Sequence, residues 1–155
     1  MKIAVFAGSF DPITLGHIEI VERGTALFDK VIVGVGINSS KQTLFTAAQR
    51  LAWVEGCFKD HAGVEVRPYD ILTVDFARQH NATFLLRGLR NYADLEYETH
   101  ISRINRHLNA DMETVFLVCS AQRSHISSSF VREIHRYEGS LEGLVPEGIL
   151  SDLRK

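Results

Sequence analysis

Residues 2–17 read KIAVFAGSFDPITLGH, and the fold is decided there. An apolar run of strand length over residues 2–6 breaks at Gly8, passes Pro12 and enters a helical pattern at Thr14, so a strand leads by a short loop straight into a helix. Gly8 lets backbone come close to a ligand, Pro12 stiffens the turn, and Thr14 is placed to cap a helix whose first turn carries His17. The free N–H groups and positive dipole at such a helix start favour a phosphate. The stretch is neither a GxGxxG fingerprint nor a P-loop, since no glycine-lysine-serine/threonine follows. The tetrapeptide Thr14-Leu15-Gly16-His17 is distinctive: Gly16 removes a side chain where a ring or sugar could lie, leaving the imidazole free to donate. A competing reading makes Gly16 a packing glycine and His17 an ordinary surface histidine. Taken alone, the tetrapeptide leaves the two about even.

Four more short apolar or β-branched runs follow, at residues 30–37, 64–67, 83–86 and 113–119. Helical patterns lie between them. Ile20, Val21, Gly24, Leu27 and Phe28 form one stripe; Thr46 and Gln49 make a capping box ahead of Leu51, Val54 and Phe58; Thr73–Gln79 is one short helix. A longer helix over residues 94–108 carries Tyr97, Ile101, Ile104 and Leu108 on one face, and a last one runs from Ser127 to Tyr137. Strict strand–helix alternation requires right-handed crossovers. The expected architecture is α/β: a Rossmann-like, doubly wound, five-stranded parallel sheet. Val31-Ile32-Val33 and Val115-Phe116-Leu117-Val118 are apolar throughout, as a sheet covered on both faces demands. Residues 139–155, with Pro146, form a short helical tail, and residues 1–155 read as a single domain without repeat or linker.

The 155 residues (17.4 kDa) are 45% hydrophobic and 23% charged, inside the globular norm. A chain this long can build a core without metal or disulfide staples. Its longest aliphatic stretch, residues 31–37, contains two glycines and falls far short of the ~20 residues that cross a bilayer, and residues 1–6 are too short for a signal peptide. A cytoplasmic protein is expected, with no membrane association. Cys57 and Cys119 read as reduced thiols rather than a disulfide or metal pair. A formal charge of −2 offers no whole-surface attraction to nucleic acid, so any anion site is local. Among seven histidines, His61, His80 and His135 sit near polar element ends, and His17 alone asks for more.

Ligands of open parallel sheets bind beyond the carboxyl ends of the strands. After the second run comes Asn38-Ser39-Ser40-Lys41, placing a lone lysine on the rim of the crevice or in a solvated loop. After the fourth comes Arg87-Gly88-Leu89-Arg90; two arginines bracketing a glycine can hold two phosphates, or one bidentately. After the fifth, Ser124-His125-Ile126-Ser127-Ser128-Ser129 enters a helix, a second phosphate cradle, though plain N-capping accounts for one of those serines without any ligand. Tyr69-Asp70-Ile71-Leu72-Thr73, after the third, suits the wall of an uncharged group or a plain loop and cap. Glu98 lies about 100° from the Tyr97 stripe, on a solvated face or toward the crevice, and spacing does not decide which.

Together these segments resemble the nucleotidyltransferase superfamily with its Thr/His-x-Gly-His signature and, more narrowly, the bacterial phosphopantetheine adenylyltransferases. The likeness runs from Lys2 to about Pro146. It is carried by residues 8–17, Leu86-Arg87-Gly88-Leu89-Arg90-Asn91, Asp94-Leu95-Glu96-Tyr97-Glu98, Asn105-Arg106-His107-Leu108 and Ile126-Ser127-Ser128-Ser129. The resemblance implies transfer of AMP from ATP to 4′-phosphopantetheine with Mg²⁺, giving dephospho-coenzyme A and pyrophosphate in coenzyme A synthesis. It implies that Ser9 and Phe10 contact ATP, Ser9 also reaching the acceptor phosphate, and that His17 binds ATP and stabilises the transition state. Lys41, Thr73 and Arg87 fall to phosphopantetheine, Lys41 and Arg87 also acting in catalysis. Gly88, Leu89, Arg90, Glu98 and the loop Arg123, Ser124, His125, Ile126, Ser127, Ser128 and Ser129 fall to ATP. It further implies a homohexamer inhibited by coenzyme A. No metal ligand is assigned. The chain departs from the pattern at Ala7 (usually proline), Leu15 (commonly asparagine) and Arg123-Ser124-His125 (usually aromatic-Ser-Phe).

The acceptor phosphate is itself the nucleophile, so no nucleophilic side chain is required. Catalysis is then placement plus charge stabilisation, with Lys41 and Arg87 orienting the acceptor and His17 meeting charge on the α-phosphate. The protonation state of His17 stays open at this point, because a helix start opposes its charge and phosphates favour it. Two rivals stand: an adenylyl- or cytidylyltransferase of the same superfamily with another acceptor, and a non-catalytic nucleotide or coenzyme A sensor.

Overall fold

In a computed structural model that describes residues 1–37 and 42–153, five strands alternate with helices as expected. The strands are β1 (Ile3–Gly8), β2 (Lys30–Gly36), β3 (Val64–Tyr69), β4 (Phe84–Leu89) and β5 (Glu113–Val118); the helices are α1 (Leu15–Thr25), α2 (Ala47–Phe58), α3 (Thr73–Gln79), α4 (Tyr92–Leu108), α5 (Ser128–Arg136) and α6 (Glu147–Leu153). All pairings are parallel, in the order β3-β2-β1-β4-β5. The doubly wound Rossmann-like sheet is therefore observed, and α6 is the predicted helical tail.

Alternate residues of the central strands feed two cores. Ala4, Phe6, Val31, Val33 and Val35 pack with Ile20, Val21, Trp53, Val54 and Phe58 of α1 and α2 and with Ile149 and Leu153 of α6. Ile3, Val5, Ala7 and Ile32 point the other way, against Val74, Phe76 and Ala77 of α3. The tail is tied down by Trp53, whose Nε1 donates to Asp152 Oδ2 at 2.9 Å. The caps read at Thr46 and Ser127 form: Thr46 and Gln49 bond reciprocally, and Ser127 Oγ accepts from Phe130 N at 3.2 Å, whereas the cap position of α3 is Leu72, with no side-chain cap bond. Both cysteines are free and half-buried, and burial pushes the Cys57 thiol up to about 11.

The structure corrects two expectations. β4 continues through Arg87, Gly88 and Leu89, paired with Phe116, Leu117 and Val118, so the arginine pair straddles the end of a strand instead of following it. Gly88 permits this, because a Cβ there would stand 2.8 Å from Ile20 Cγ1. β5 is not covered on both faces: as an edge strand its residues are at most half-buried, and Val118 is exposed. On α4, where spacing left Glu98 between a solvated face and the crevice, Glu98 is the buried residue of the helix, with Tyr97 64% exposed and Ile104 57%. Tyr97 and Ile101 of that helix line the cleft above the carboxyl ends of the strands, while Ile104 and Leu108 are exposed.

Candidate active site

The strand order reverses between β1 and β4, where the connections leave in opposite directions and open a crevice above the carboxyl ends. A cleft of about 660 Å³ lies there. Its walls are the β1–α1 loop, the start of α1, the end of β4, one face of α4, residues 69–73, and the start of α5.

His17 stands at its centre, half-buried between the rings of Phe10 (5.1 Å) and Phe6 (6.1 Å). Thr14 caps α1 through its hydroxyl, and the His17 ring returns the bond by accepting Thr14 N–H at Nδ1, 3.0 Å away. A nitrogen that accepts a backbone N–H carries no proton, so the ring proton sits on Nε2. Burial, then the positive charges of Arg87 and Arg90, lower the His17 pKa to about 4. The imidazole is thus neutral at pH 7, with Nε2–H as its donor. The two sequence readings of His17 merge: it closes the helix start and lines the cleft. Its ¹⁵N spectrum in the free protein at pH 5.5 should show the neutral Nε2–H tautomer; a doubly protonated ring at that pH would overturn the assignment.

Two arginine–carboxylate forks form the opposite wall. Arg87 donates from Nε and Nη2 to Glu98 Oε2 (2.8 Å) and Oε1 (2.5 Å), and from Nη1 to the carbonyl of Ala7 (2.6 Å). Arg90 donates from Nε and Nη2 to Asp94 Oδ2 (2.8 Å) and Oδ1 (2.9 Å). Asp94 also accepts Arg90 N–H, and Arg90 holds its carboxyl below the usual range. Asn91 caps α4 by accepting from Asp94 N at 3.0 Å, which fixes where both carboxylates project.

Behind the loop after β1 lies a buried polar frame. Asp11 accepts N–H bonds from Leu44 and Phe45, both at 2.9 Å, and Arg50, 2% exposed, donates to the carbonyls of Ser9, Gly36 (2.8 Å) and Phe45 (3.2 Å). Phe10 has φ +48°, a left-handed conformation that costs an aromatic residue roughly 1–3 kcal/mol. Its ring is 2% exposed and lies 3.3 Å from where a Gly8 Cβ would stand, so Gly8 makes room for Phe10. Arg132 lines the cleft, donating to the Asp11 carbonyl (2.7 Å) and Ser129 Oγ (3.2 Å).

Of the residues singled out from sequence, the cleft gathers Ser9, Phe10, His17, Thr73, Arg87, Gly88, Arg90, Glu98, Ile126, Ser127, Ser128 and Ser129. Leu89 is buried in β4, and Arg123, Ser124 and His125 lie off the lining; Arg123 Nη1 donates to the Gly143 carbonyl at 3.4 Å. Lys41 lies outside the described residues. Sequence reasoning missed Asp94, Arg132, Arg50 and Asp11 as site-forming groups, although the four-residue step from Asp94 to Glu98 on a helix beginning just after Arg90 was a usable signal. Among the described residues no three of His, Cys, Asp and Glu gather where a metal could be held, and no helix is long and apolar enough to cross a membrane.

The sequence profile of the cytidylyltransferase-like family matches residues 5–134. The phosphopantetheine adenylyltransferase of Clostridium botulinum (strain Alaska E43 / Type E3) is 45% identical over 153 residues, covering 99% of this chain and 96% of that protein. The phosphopantetheine adenylyltransferase of Cytophaga hutchinsonii is 47% identical over 145 residues, covering 94% and 97%. Among solved structures, a Vibrio parahaemolyticus protein assigned as a nicotinate-nucleotide adenylyltransferase aligns over 100% of both chains with a TM-score of 0.68 at 18% identity, a likeness of fold.

Proposed function

The chain belongs to the cytidylyltransferase-like family and, within it, to the phosphopantetheine adenylyltransferases, and from that premise we propose that it transfers AMP from ATP to 4′-phosphopantetheine, releasing pyrophosphate and dephospho-coenzyme A, in the cytoplasm. The observation that carries this reading is one neutral imidazole donor, His17, within the field of two separately held guanidinium groups, Arg87 and Arg90. Two phosphate-bearing substrates drawn to two cations would meet at the donor between them.

In this reading ATP lies along Ser9, the Phe10 backbone, Gly88, Arg90 and residues 126–129, ending at the start of α5, while Leu89 and residues 123–125, which the resemblance also gives to ATP, stand off the cleft lining. Phosphopantetheine lies toward Thr73, with its phosphate at Arg87, Lys41 and Ser9. An acceptor phosphate oxygen forms the new bond to the α-phosphorus as the bond to the β-phosphate bridging oxygen breaks and pyrophosphate leaves with the electron pair. The acceptor phosphate is already ionised, so no base is needed. His17 Nε2–H meets the charge that grows on the α-phosphate oxygens, and the forks hold both arginines still meanwhile.

Mg²⁺ would neutralise the phosphate charge when bound. The residues present suit an ion carried in by the phosphates of ATP and by water: the cleft carboxylates Asp94 and Glu98 are each held by an arginine, and Mg²⁺ keeps several waters where phosphates supply the other ligands. Residues 1–155 act as one nucleotidyltransferase domain. The exposed apolar residues Ile104 and Leu108 on α4 support assembly of several copies, for which a hexamer is the family expectation. Coenzyme A carries the same pantetheine arm and would compete for the acceptor side.

An acceptor panel tests the function. With ATP, release of pyrophosphate should require 4′-phosphopantetheine, and mass analysis should identify dephospho-coenzyme A. Unphosphorylated pantetheine should give none, because it offers no phosphate to attack or to be held. Turnover of nicotinate mononucleotide, a preference for CTP, or tight binding of ATP without pyrophosphate would each sink the reading in favour of a different transferase or a sensor.

A further inference from the structure

The carboxylates Asp94 and Glu98 have no partner in the reaction as described, yet they are the best-held acidic groups in the cleft. They stand four residues apart on α4, hence on one face one turn apart, and each grips one arginine by its Nε and Nη2 edge. Glu98 is 7% exposed and both its oxygens are taken by Arg87. The forks leave N–H groups of Arg87 and Arg90 without a protein partner among the described residues, on side chains that remain about one-third open (31% and 34%).

We propose that Asp94 and Glu98 are positioning residues that divide the cleft between its substrates: Glu98 aims Arg87 at the acceptor phosphate, and Asp94 aims Arg90 at the nucleotide phosphates. The inference rests on the adenylyltransferase reading above. It differs from the family pattern, in which Glu98 falls to ATP. A carboxylate whose two oxygens already hold a half-buried guanidinium acts through that guanidinium. A free arginine would sample many rotamers and rest against any phosphate entering the cleft. Gripped along one edge, it presents its remaining N–H groups in one direction, so placement and not overall positive charge selects the phosphate. Because Arg87 lies in β4 and Arg90 just beyond it, while both carboxylates sit on one rigid helix, the spacing between the two phosphate sites is set by the docking of α4 on the sheet.

The test is two-substrate steady-state kinetics on the full-length enzyme, comparing wild type with Glu98→Gln and Asp94→Asn, alongside melting temperatures. These isosteres remove charge and one acceptor while keeping size. Glu98→Gln should raise the KM for 4′-phosphopantetheine about tenfold or more and leave that for ATP within about twofold, since a misplacement near 1 Å can cost up to 10²-fold. Asp94→Asn should show the reverse. Glu98→Asp, which keeps the charge but shortens the reach, should reproduce the Glu98→Gln split at smaller size and serves if the amide variant does not fold. A rise confined to the KM for ATP in the Glu98 variants would make that residue a nucleotide ligand and overturn the proposal. A lower melting temperature with both KM values unchanged would overturn it too, leaving the forks purely structural. Failure of the wild-type enzyme to adenylate phosphopantetheine would instead sink the underlying reading, so the two failures are told apart.

Discussion

Replacing His17 with alanine should lower turnover by about 10²–10³ while ATP binds nearly as well as before. The expectation follows from where the donor acts. A neutral Nε2–H offers little to a resting ATP that already meets guanidinium groups and helix N–H groups. It offers more to the α-phosphate as attack loads charge onto its oxygens, and removing one such preorganised donor typically costs roughly 2.7–4 kcal/mol. The same substitution strips Thr14 N–H of its partner at Nδ1, so a cap is weakened as well. Loss of a cap costs ~1 kcal/mol, and in a chain of this length that is about 2–4 °C of melting temperature. A modest loss of stability and a large loss of rate should therefore appear together. ATP affinity, single-turnover rate and melting temperature on one preparation separate them. Were binding to fall as far as rate, His17 would be a ground-state ligand; were rate to survive in the folded fraction, it would be a cap and nothing more.

His17 also shows what a sequence can and cannot disclose. The strand–loop–helix unit around it was legible because each feature is local: an apolar run, a glycine, a proline, a threonine at cap position. The parallel, doubly wound sheet followed from alternation and handedness, which are general constraints, whereas the order β3-β2-β1-β4-β5 came from the structure. The charge state of the ring was not legible, because it depends first on burial of the imidazole and then on Arg87 and Arg90, at least seventy residues away in sequence and adjacent only once β4 lies beside β1. The roles of Asp94 and Glu98 were hidden for the same reason. Periodicity placed Glu98 off the Tyr97 stripe and left it open between a solvated face and the crevice; the structure buries it in the cleft wall, while Tyr97 and Ile104 are exposed. An apolar stripe marks a face to be covered, and nothing in it says whether the same chain does the covering. Arg87 carried a similar ambiguity: an arginine at a strand end has little structural use unless paired, and its pair lay on the next helix.

Arg50 carries the other large effect. Its guanidinium is 2% exposed, burial holds its pKa below the usual arginine range, and a group that basic keeps its charge regardless. It donates to three carbonyls, of Ser9 after β1, Gly36 ending β2 and Phe45 just before α2, while Asp11 takes the Leu44 and Phe45 N–H groups from the other side. The loop after β1, the end of β2 and residues 44–45 ahead of α2 are thereby held against one another at the floor of the cleft. Arg50→Met keeps the stem and removes the donors. At about 1–3 kcal/mol for each buried polar group left unpaired, three carbonyls amount to ~3 kcal/mol or more, a fall in melting temperature of roughly 6–12 °C or greater. Below that temperature Ser9 and Phe10 should lose their fixed placement, so KM values should rise in the surviving folded enzyme. Arg50→Lys, which keeps the charge but reaches one or two carbonyls, should fall between wild type and Arg50→Met. A melting temperature within 2 °C of wild type for Arg50→Met would mean that water replaces the guanidinium without cost, and the loop after β1 would then owe its shape to Asp11 and the packing of Phe10 alone.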